Sequence, residues 1–348
     1  MTAVAEAIKK VATGPHLSKD LSEEEAYAAT MEILSGEADP VRAAIFFIAM
    51  RMKRETNEEN LGILKALQDV TEQKPVSVDE LLIFADPYNG FNRHCPVAVF
   101  LPAVLAASGL PALSQGVFEM GPKFGVTHAQ VLKLAGYNHQ QSVSEAAAAV
   151  SSPNIGWAYL DQSQASPQVY ALETLRTQMI KRPSIATLEK MLMPLKAQKK
   201  THLAVGFVHK EYPAILGWLA NAFGYDSAFI ARGLEGGIVP TLREASNNHQ
   251  MLNGDMHTCQ LDPTEFGIEQ DTRGVKVEDE VTAQRTLDEG MQALAGKAGP
   301  AYDSLVYGAA IALWHCGQFA SQRQAADHVR SIIDQGQAKA HFDAGINA

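Results

Sequence analysis

From Leu81 onward, short apolar runs alternate with segments of helical periodicity, and this alternation constrains the fold more than any other feature. The runs predicted to be strands are Leu81–Ala85, Pro111–Ser114, Gly156–Leu160, Thr201–Val208 and Ser227–Ala231. Strands that alternate with helices pair in parallel, because each helix returns the chain to the same end of the sheet. The sequence therefore predicts an α/β fold with a mostly parallel central sheet flanked by helices on both faces.

The first 75 residues carry only helix signals. Ser22 with Glu25, and Thr56 with Glu59, have the spacing of a capping box, in which each side chain bonds the backbone N–H of the other at a helix start. Pro40 has no N–H to donate and suits the first turn of a helix between these two boxes. We expect a small bundle of three or four helices in this region.

Chain length and the change in character after residue 75 indicate two domains. A chain of 348 residues, 46% of them hydrophobic, buries a large core and commonly divides. We expect a small helical domain of residues 1–75 with about 166–195, hinged to a larger α/β domain of residues 76–165 with 196–348.

The C-terminal part of the chain is again helical in pattern. Helices are predicted over Val281–Leu294, Ala301–Cys316 and Gln322–Gln335. Trp314 and His315 fall in the second of these helices, beside apolar residues at helical spacing, so we expect them to pack in the core rather than to act in catalysis.

Two glycine-bearing loops follow the first two predicted strands and lead into helical segments. They are Phe84–Arg93 and Ser114–Gly125. Glycine lets the backbone approach a ligand, and free N–H groups at a helix start favour negative charge, so the loops predict a site for a phosphorylated or otherwise anionic ligand. The alternative is that they are ordinary turns between strand and helix. The candidate binding residues are Asn89, Gly90, Asn92 and Arg93 in the first loop and Gln115, Gly116, Lys123 and Gly125 in the second.

A basic segment runs from Arg176 to Lys200 in a chain whose formal net charge is −10. The segment contains seven cationic residues and a single acidic one, Glu189. Such a run is often a solvated helix face, and the alternative is a binding site for an anion. Lys181 and Arg182 are the better candidates for binding, because the proline that follows them fixes the chain direction.

A third glycine-rich turn, Ala231–Pro240, contains the acid Glu235. A carboxylate on such a turn is a candidate ligand for Mg²⁺ or for a sugar hydroxyl, although magnesium sites are usually built from more than one oxygen donor. The alternative role for Glu235 is to cap the neighbouring backbone turn.

Composition excludes several other classes of protein. No apolar stretch is long enough to cross a bilayer. Glu6, Lys9 and Lys10 interrupt residues 1–15, which therefore lack the apolar core of a secretory signal peptide. We expect a cytoplasmic protein without membrane contact. The three cysteines are scattered and show neither disulfide nor zinc spacing. The negative net charge disfavours indiscriminate nucleic-acid binding, but a local basic face could still attract phosphates.

Several segments resemble anthranilate phosphoribosyltransferase, a member of glycosyltransferase family 3 that is akin to pyrimidine nucleoside phosphorylases. The segments are Leu21–Ala26, Ile33–Glu37, Ala49–Glu59, Asp262–Gly267 and Gly290–Ser304. The resemblance implies a small α domain joined by hinges to a larger α/β domain, with the active site in the cleft between them. It also implies a homodimer formed through the N-terminal helices.

The motifs that bind substrate in that family are altered here. Asp86–Gly90 stands where the enzyme has Gly-Thr-Gly-Gly-Asp, and Ser114–Phe118 stands where it has Lys-His-Gly-Asn-Arg. The family's Asp-Glu magnesium pair falls near Glu235 and Gly236, which leaves one carboxylate. Each lost charge-assisted hydrogen bond to phosphate costs about 1.5–3 kcal/mol, so we do not expect efficient anthranilate phosphoribosyl transfer.

Two hypotheses follow from the sequence. In the first, the chain is a divergent pentosyl transferase or phosphorylase: Lys123 with the Gly116–Gly125 loop holds a phosphate, Lys181 and Arg182 neutralise a second anionic group, the polar residues of the first loop contact the sugar, and Glu235 binds Mg²⁺ or a ribose hydroxyl. Positioning and charge stabilisation can carry such a transfer without a covalent nucleophile.

In the second hypothesis, catalysis is lost and the chain is a homodimer that binds nucleic acid through Arg176–Lys200, with Arg51, Lys53 and Arg54. The resemblance supports this alternative, since related branches include dimers with a basic groove. The basic segment has no interleaved aromatic residues, which favours a small anionic ligand over a single-stranded nucleic acid.

Overall fold

A seven-stranded sheet orders the larger part of the molecule, and the computed structural model describes residues 2–14 and 16–348. The strands are β1 (Lys74–Pro75), β2 (Glu80–Ala85), β3 (Ala112–Gly116), β4 (Trp157–Asp161), β5 (Leu195–Lys196), β6 (Lys200–Gly206), β7 (Ser227–Ala231), β8 (Ser246–Leu252) and β9 (Asp255–Leu261). The sheet has the order β4, β3, β2, β6, β7, β8, β9, while β1 pairs with β5 outside it. Neighbouring strands among β4, β3, β2, β6 and β7 all pair in parallel, which confirms the predicted mostly parallel sheet.

Helices lie on both faces of this sheet, and four of them form the predicted N-terminal bundle. Their bounds are α1 (Ala3–Val11), α2 (Glu23–Leu34), α3 (Pro40–Lys53), α4 (Asn57–Asp69), α5 (Leu101–Ala107), α6 (His128–Leu134), α7 (Val143–Ser151), α8 (Gln162–Ala165), α9 (Pro167–Tyr170), α10 (Glu173–Met179), α11 (Ile185–Leu188), α12 (Tyr212–Phe223), α13 (Ala283–Leu294), α14 (Pro300–His315), α15 (Gln322–Asp334) and α16 (Gln337–Ile346). Within the described residues, every helix is too short or too polar to span a bilayer.

Local capping chemistry explains where the bundle helices begin. The hydroxyl of Ser22 accepts the N–H of Glu25 and the Glu25 carboxylate accepts the N–H of Ser22, and Thr56 with Glu59 repeats the arrangement at the start of α4. Both predicted capping boxes are therefore confirmed. Pro40 is the first residue of α3, as predicted, and the carboxylate of the preceding Asp39 caps this helix.

The alternation of side chains along β2 joins two hydrophobic cores. Leu81 and Ile83 belong to a buried cluster that extends through the N-terminal bundle, whereas Leu82 and Phe84 belong to a second cluster formed with the C-terminal helices. Successive residues of a strand point to opposite faces, so the continuous apolar run Leu81–Ala85 is what a sheet covered on both sides requires.

The antiparallel hairpin β8–β9 at one edge of the sheet was not predicted. Its strands are rich in polar residues, and the outer strand β9 is mostly exposed, so neither strand has the apolar signal of β2. The turn between them is Asn253-Gly254, with positive φ at both residues (52° and 86°). Asn-Gly is the preferred two-residue hairpin turn, and this dipeptide was the available signal.

A buried hydrogen-bonded chain crosses from the hairpin to the start of β6. Gln250 Nε2 lies 2.8 Å from His315 Nδ1, His315 Nε2 lies 2.8 Å from the Ser227 hydroxyl, and that hydroxyl lies 2.8 Å from His202 Nδ1. With Gln250 donating, His315 is neutral and donates to Ser227. Burial, together with the nearby His202, lowers the pKa of His315 to about 3. His315 is a core residue, as predicted.

This buried imidazole predicts a loss of stability in acid. Between pH 6.5 and about 3 the unfolded chain binds a proton at His315 that the folded chain does not, so the free energy of unfolding falls as pH falls, by up to about 1.4 kcal/mol per pH unit. His315→Gln removes the titrating group, and we expect a shallower dependence of urea unfolding on pH across this window. The exposed His257→Gln is the control, and equal slopes for the two variants would contradict the assignment.

Candidate functional site

A cleft of about 140 Å³ lies between the N-terminal bundle and the carboxyl ends of the parallel strands. Strand order runs outward in opposite directions from the β2–β6 pair, and in open α/β sheets ligands bind outside the strand ends at such a reversal. Asn89 after β2 and His209 after β6 line one wall, and Arg51 of α3 and Arg182 line the other. The cleft therefore lies at the carboxyl edge of the sheet, which is where the sequence predicts a binding site.

Two arginines supply the exposed charge of the cleft. Arg51 Nη1 donates to the Arg182 carbonyl oxygen at 2.5 Å, which fixes the two chain segments against each other. Among the described residues neither guanidinium takes part in an ion pair. Lys190 also lines the cleft, but it is buried, donates to the Gly206 carbonyl at 2.8 Å, and has its pKa lowered by burial to about 8. The cleft thus presents unneutralised positive charge.

A buried ion pair forms the floor of the cleft. The Arg176 guanidinium donates two hydrogen bonds of 2.7 Å to the Glu189 carboxylate. Gln162 Nε2 donates to the same carboxylate at 3.0 Å, and the Tyr88 hydroxyl donates to the Glu189 carbonyl at 3.3 Å. Arg176 and Glu189 are 4% and 0% exposed, so this pair is a structural element that holds α10 against the segment before β5.

The basic segment is consequently not one continuous surface. Arg176 and Lys190 are buried, while Lys199 and Lys200 lie at the amino-terminal start of β6, paired with Asp79 and Glu80. Arg182 lies near the opposite, carboxyl end of the sheet, at the cleft. The neighbouring Lys181 is exposed and does not line the cleft.

The glycines of the two loops serve the packing of one loop against the other. Gly90 N–H donates to the Pro87 carbonyl at 2.8 Å, and Gly125 N–H donates to the Asn89 carbonyl at 2.9 Å. A Cβ on Gly90 would lie 2.2 Å from the Gly125 carbonyl oxygen, so the close approach of the loops requires glycine. These amides are already bonded within the fold, and the alternative of ordinary strand-to-helix turns describes both glycines.

The remaining loop candidates are distributed over different surroundings. Gln115 is buried and its Nε2 donates to the Leu192 carbonyl at 2.8 Å; with Gly116 it lines a separate small cavity beside Asp86. The side chains of Asn92 and Arg93 are exposed outside the cleft lining. Only Asn89 of the first-loop candidates lines the cleft.

Glu235 joins three loops through its carboxylate. Its Oε1 accepts the backbone N–H groups of Arg93 and His94 at 2.9 and 3.1 Å, and its Oε2 accepts the N–H of Asn92 at 3.1 Å and the Lys123 ammonium at 2.6 Å. The Lys123 ammonium also donates to the Gly90 carbonyl at 2.7 Å. Burial alone would raise the pKa of Glu235, but contacts with the His94 side chain, the Lys123 ammonium and the Asn92 amide hold it well below its usual range.

These donors do not fit a magnesium site at Glu235. Each carboxylate oxygen already accepts two hydrogen bonds, which uses its lone pairs, and the groups around it are N–H donors rather than oxygen ligands. No group of three or more acidic, His or Cys side chains suited to a metal is found within residues 2–14 and 16–348. The Glu235 carboxylate instead caps backbone amides, which is the alternative role considered for it, and a magnesium role at this residue stays a prediction.

Sequence reasoning missed several residues of the cleft. Tyr88, Phe207 and His209 were not proposed, and Arg51 was named only for nucleic acid. Phe207 and His209 directly follow β6, so the rule that ligands lie beyond the strand ends could have identified them. The sequence around Arg51 does not indicate a binding role, because Arg51 joins the cleft through a hydrogen bond to Arg182, which lies 131 residues away in the sequence.

Comparison with known proteins agrees with this architecture. A model of the helical bundle domain of the glycosyl transferase family matches residues 5–71, and a model of its α/β domain matches residues 93–339. The chain belongs to this family. It is an anthranilate phosphoribosyltransferase-like member of glycosyl transferase family 3, which confirms the resemblance seen in the sequence.

Individual relatives of this family 3 protein are distant. An uncharacterized protein of Aquifex aeolicus is 27% identical, over 89% of this chain and 93% of its own, and the anthranilate phosphoribosyltransferase of Azorhizobium caulinodans is 24% identical over 97% and 94%. The crystal structure of that enzyme from Thermus thermophilus superposes with a TM-score of 0.81 at 19% identity over the whole of both chains. The Saccharomyces cerevisiae enzyme in complex with PRPP and Mg superposes with a TM-score of 0.81 at 17% sequence identity, over 99% of this chain and 98% of its own.

The buried ion pair yields a stability prediction. Arg176→Met leaves the Glu189 carboxylate buried without its partner. We therefore expect urea denaturation to give a free energy of unfolding about 3–5 kcal/mol lower than that of the wild type. The double variant Arg176→Met/Glu189→Leu removes both charges and should recover most of that loss. Lys199→Met, at an exposed pair, is the control and should change little. A double variant no more stable than Arg176→Met alone would show that the two charges are not coupled.

Proposed function

We propose that this chain is a divergent pentosyl-transferring glycosyltransferase that binds a phosphorylated sugar or another anionic ligand in the cleft, and that it is not an efficient anthranilate phosphoribosyltransferase. The observation that carries the proposal is the pair Arg51 and Arg182, which line the cleft on the bundle side without an acidic partner in the part of the chain that the structure describes. Guanidinium groups bind phosphate and carboxylate in a bidentate manner. Family membership supplies the reaction class.

The chemistry requires little beyond placement and charge. Transfer at an anomeric carbon develops positive charge on the sugar and negative charge on the leaving group, and fixed cations near the leaving group lower the barrier. In this proposal Arg182 and Arg51 take that role, and Asn89 on the facing wall contacts the sugar hydroxyls; all three line the cleft. Phe207 and Tyr212, which also line the cleft, offer aromatic surface to a planar acceptor.

The two loops that stand where the family binds diphosphate have their donors bonded within the fold, which supports a substrate different from that of the enzyme. The amides of Gly90 and Gly125 are bonded within the loops, and Lys123 is neutralised by Glu235. While Glu235 stays bound to Lys123, a diphosphate is held mainly by the two arginines. In that state magnesium enters only as the counter-ion of such a ligand, since Glu235 has no free lone pair for it.

The alternative, a nucleic-acid-binding homodimer without catalysis, has weaker support. Arg176 and Lys190 are buried, and Lys199 and Lys200 are paired at the far edge of the sheet. A long anionic backbone would find no continuous row of cations along this segment. Single-stranded DNA remains a useful arm of the binding test, because affinity that falls steeply with salt would favour this alternative.

Removing one cleft arginine tests the proposed ligand class. We expect isothermal titration to show binding of phosphoribosyl pyrophosphate, with and without Mg²⁺, and Arg182→Ala to weaken it by about tenfold, the value of one exposed charge-assisted hydrogen bond. Lys181→Ala removes an adjacent cation that does not line the cleft and should leave the affinity unchanged. Equal weakening by both variants would indicate general charge attraction, and binding of DNA alone would overturn the proposal.

A homodimer through the N-terminal helices is the second proposal for this protein. One face of α3 exposes Val41, Ile45 and Met52, which are 66%, 44% and 76% accessible and recur at helical spacing. Such a contiguous apolar stripe is unusual on a surface that faces only water. The N-terminal helices resemble those that form the family's dimer interface, which supports this proposal.

Disruption of that stripe tests the dimer. We expect the wild type to sediment as a dimer and Ile45→Asp to sediment as a monomer, because the new charge would be buried without a partner. Leu134→Asp changes an exposed apolar residue on α6, away from the stripe, and should remain dimeric. A wild type that is monomeric at every concentration would contradict the proposal.

A further inference from the structure

Three consecutive backbone amides of the first loop point at one spot. The N–H groups of Asn92, Arg93 and His94 all donate to the Glu235 carboxylate, at 3.1, 2.9 and 3.1 Å. The Lys123 ammonium donates to it at 2.6 Å, and His94 Nδ1 lies 3.5 Å from it. Successive amides that converge in this way form a concave nest for an anion, and here a cation completes it.

The anion in this nest is part of the chain itself. A carboxylate and one face of a phosphate present similar sets of acceptor oxygens, and both suit converging N–H groups and an ammonium. Glu235 therefore occupies a position that the surrounding donors would equally offer to an oxyanion from outside. Its side chain is 7% exposed, so the nest is closed while Glu235 remains in it.

The occupying residue is held in a strained conformation at the edge of the cleft. Glu235 has φ 54° and ψ 15°, a left-handed conformation that is unfavourable for a residue with a side chain. It lies in a glycine-rich turn, and both Glu235 and Gly236 line the cleft. Because this turn borders the cleft, withdrawal of the carboxylate would open the nest directly to the cleft.

We propose that the amides of Asn92–His94 and the Lys123 ammonium form a latent oxyanion site, which Glu235 fills in the resting protein and from which a phosphate group of a bound ligand displaces it. Glu235 thereby acts as a gate rather than as a metal ligand. The identity of the displacing ligand, a phosphorylated sugar, rests on the proposed function. The existence of the latent site does not.

Inorganic phosphate is the probe for this site. Glu235→Ala removes the carboxylate and one methylene, a volume comparable with that of a phosphate ion, and we expect isothermal titration to show one phosphate bound per chain at least tenfold more tightly than by the wild type. Adding Lys123→Ala to Glu235→Ala should abolish the gain. The control, Glu211→Ala, removes an exposed acid next to the cleft residue Tyr212 and changes net charge equally, and should show no gain.

The outcomes separate this inference from the proposed function. If Glu235→Ala does not fold, Glu235→Gly also empties the nest and suits the positive φ of this position, and the same gain in phosphate affinity is expected. A folded variant that binds phosphate no better than Glu211→Ala would overturn the latent site. Failure of the wild type to bind phosphoribosyl pyrophosphate would count against the proposed ligand and leave the phosphate titration of the variants decisive for the nest.

Discussion

The hydrogen bonding of the Glu235 carboxylate is the interaction on which the carboxyl edge of the sheet depends. It joins the loop after β2 through three amides, the loop after β3 through Lys123, and its own turn after β7. Because these donors converge on an internal carboxylate, the positive charge of Lys123 is neutralised. The positive charge left for a ligand comes from the other wall, from Arg51 and Arg182.

Much of the fold could be predicted from local sequence. Capping boxes define the starts of α2 and α4, and largely apolar runs mark the strands that are covered on both faces. Ser227–Ala231 is both the predicted and the observed extent of β7. The β8–β9 hairpin escaped prediction because its strands are polar and edge-exposed. Its only strong local signal is the Asn253-Gly254 turn.

The location of the site was predictable, but the tasks of its side chains were not. Strand order places a cleft at the carboxyl edge whatever the residues are. Whether a cation meets solvent, a carboxylate or a carbonyl depends on partners distant in sequence: Glu235 reaches Arg93 across 142 residues, and Gln115 reaches Leu192 across 77. Composition of the basic segment could not show that Arg176 turns inward to Glu189 while Arg182 faces the cleft.

The fold is therefore that of a family 3 glycosyl transferase whose cleft is charged from the helical side and whose loop donors are satisfied internally. A crystal structure of the wild-type protein soaked with phosphoribosyl pyrophosphate tests this account most directly. The account predicts density for phosphate groups beside Arg51 and Arg182, with the Glu235 carboxylate withdrawn where a phosphate enters the nest. Density confined to other surfaces, or a cleft that stays empty at saturating ligand, would contradict it.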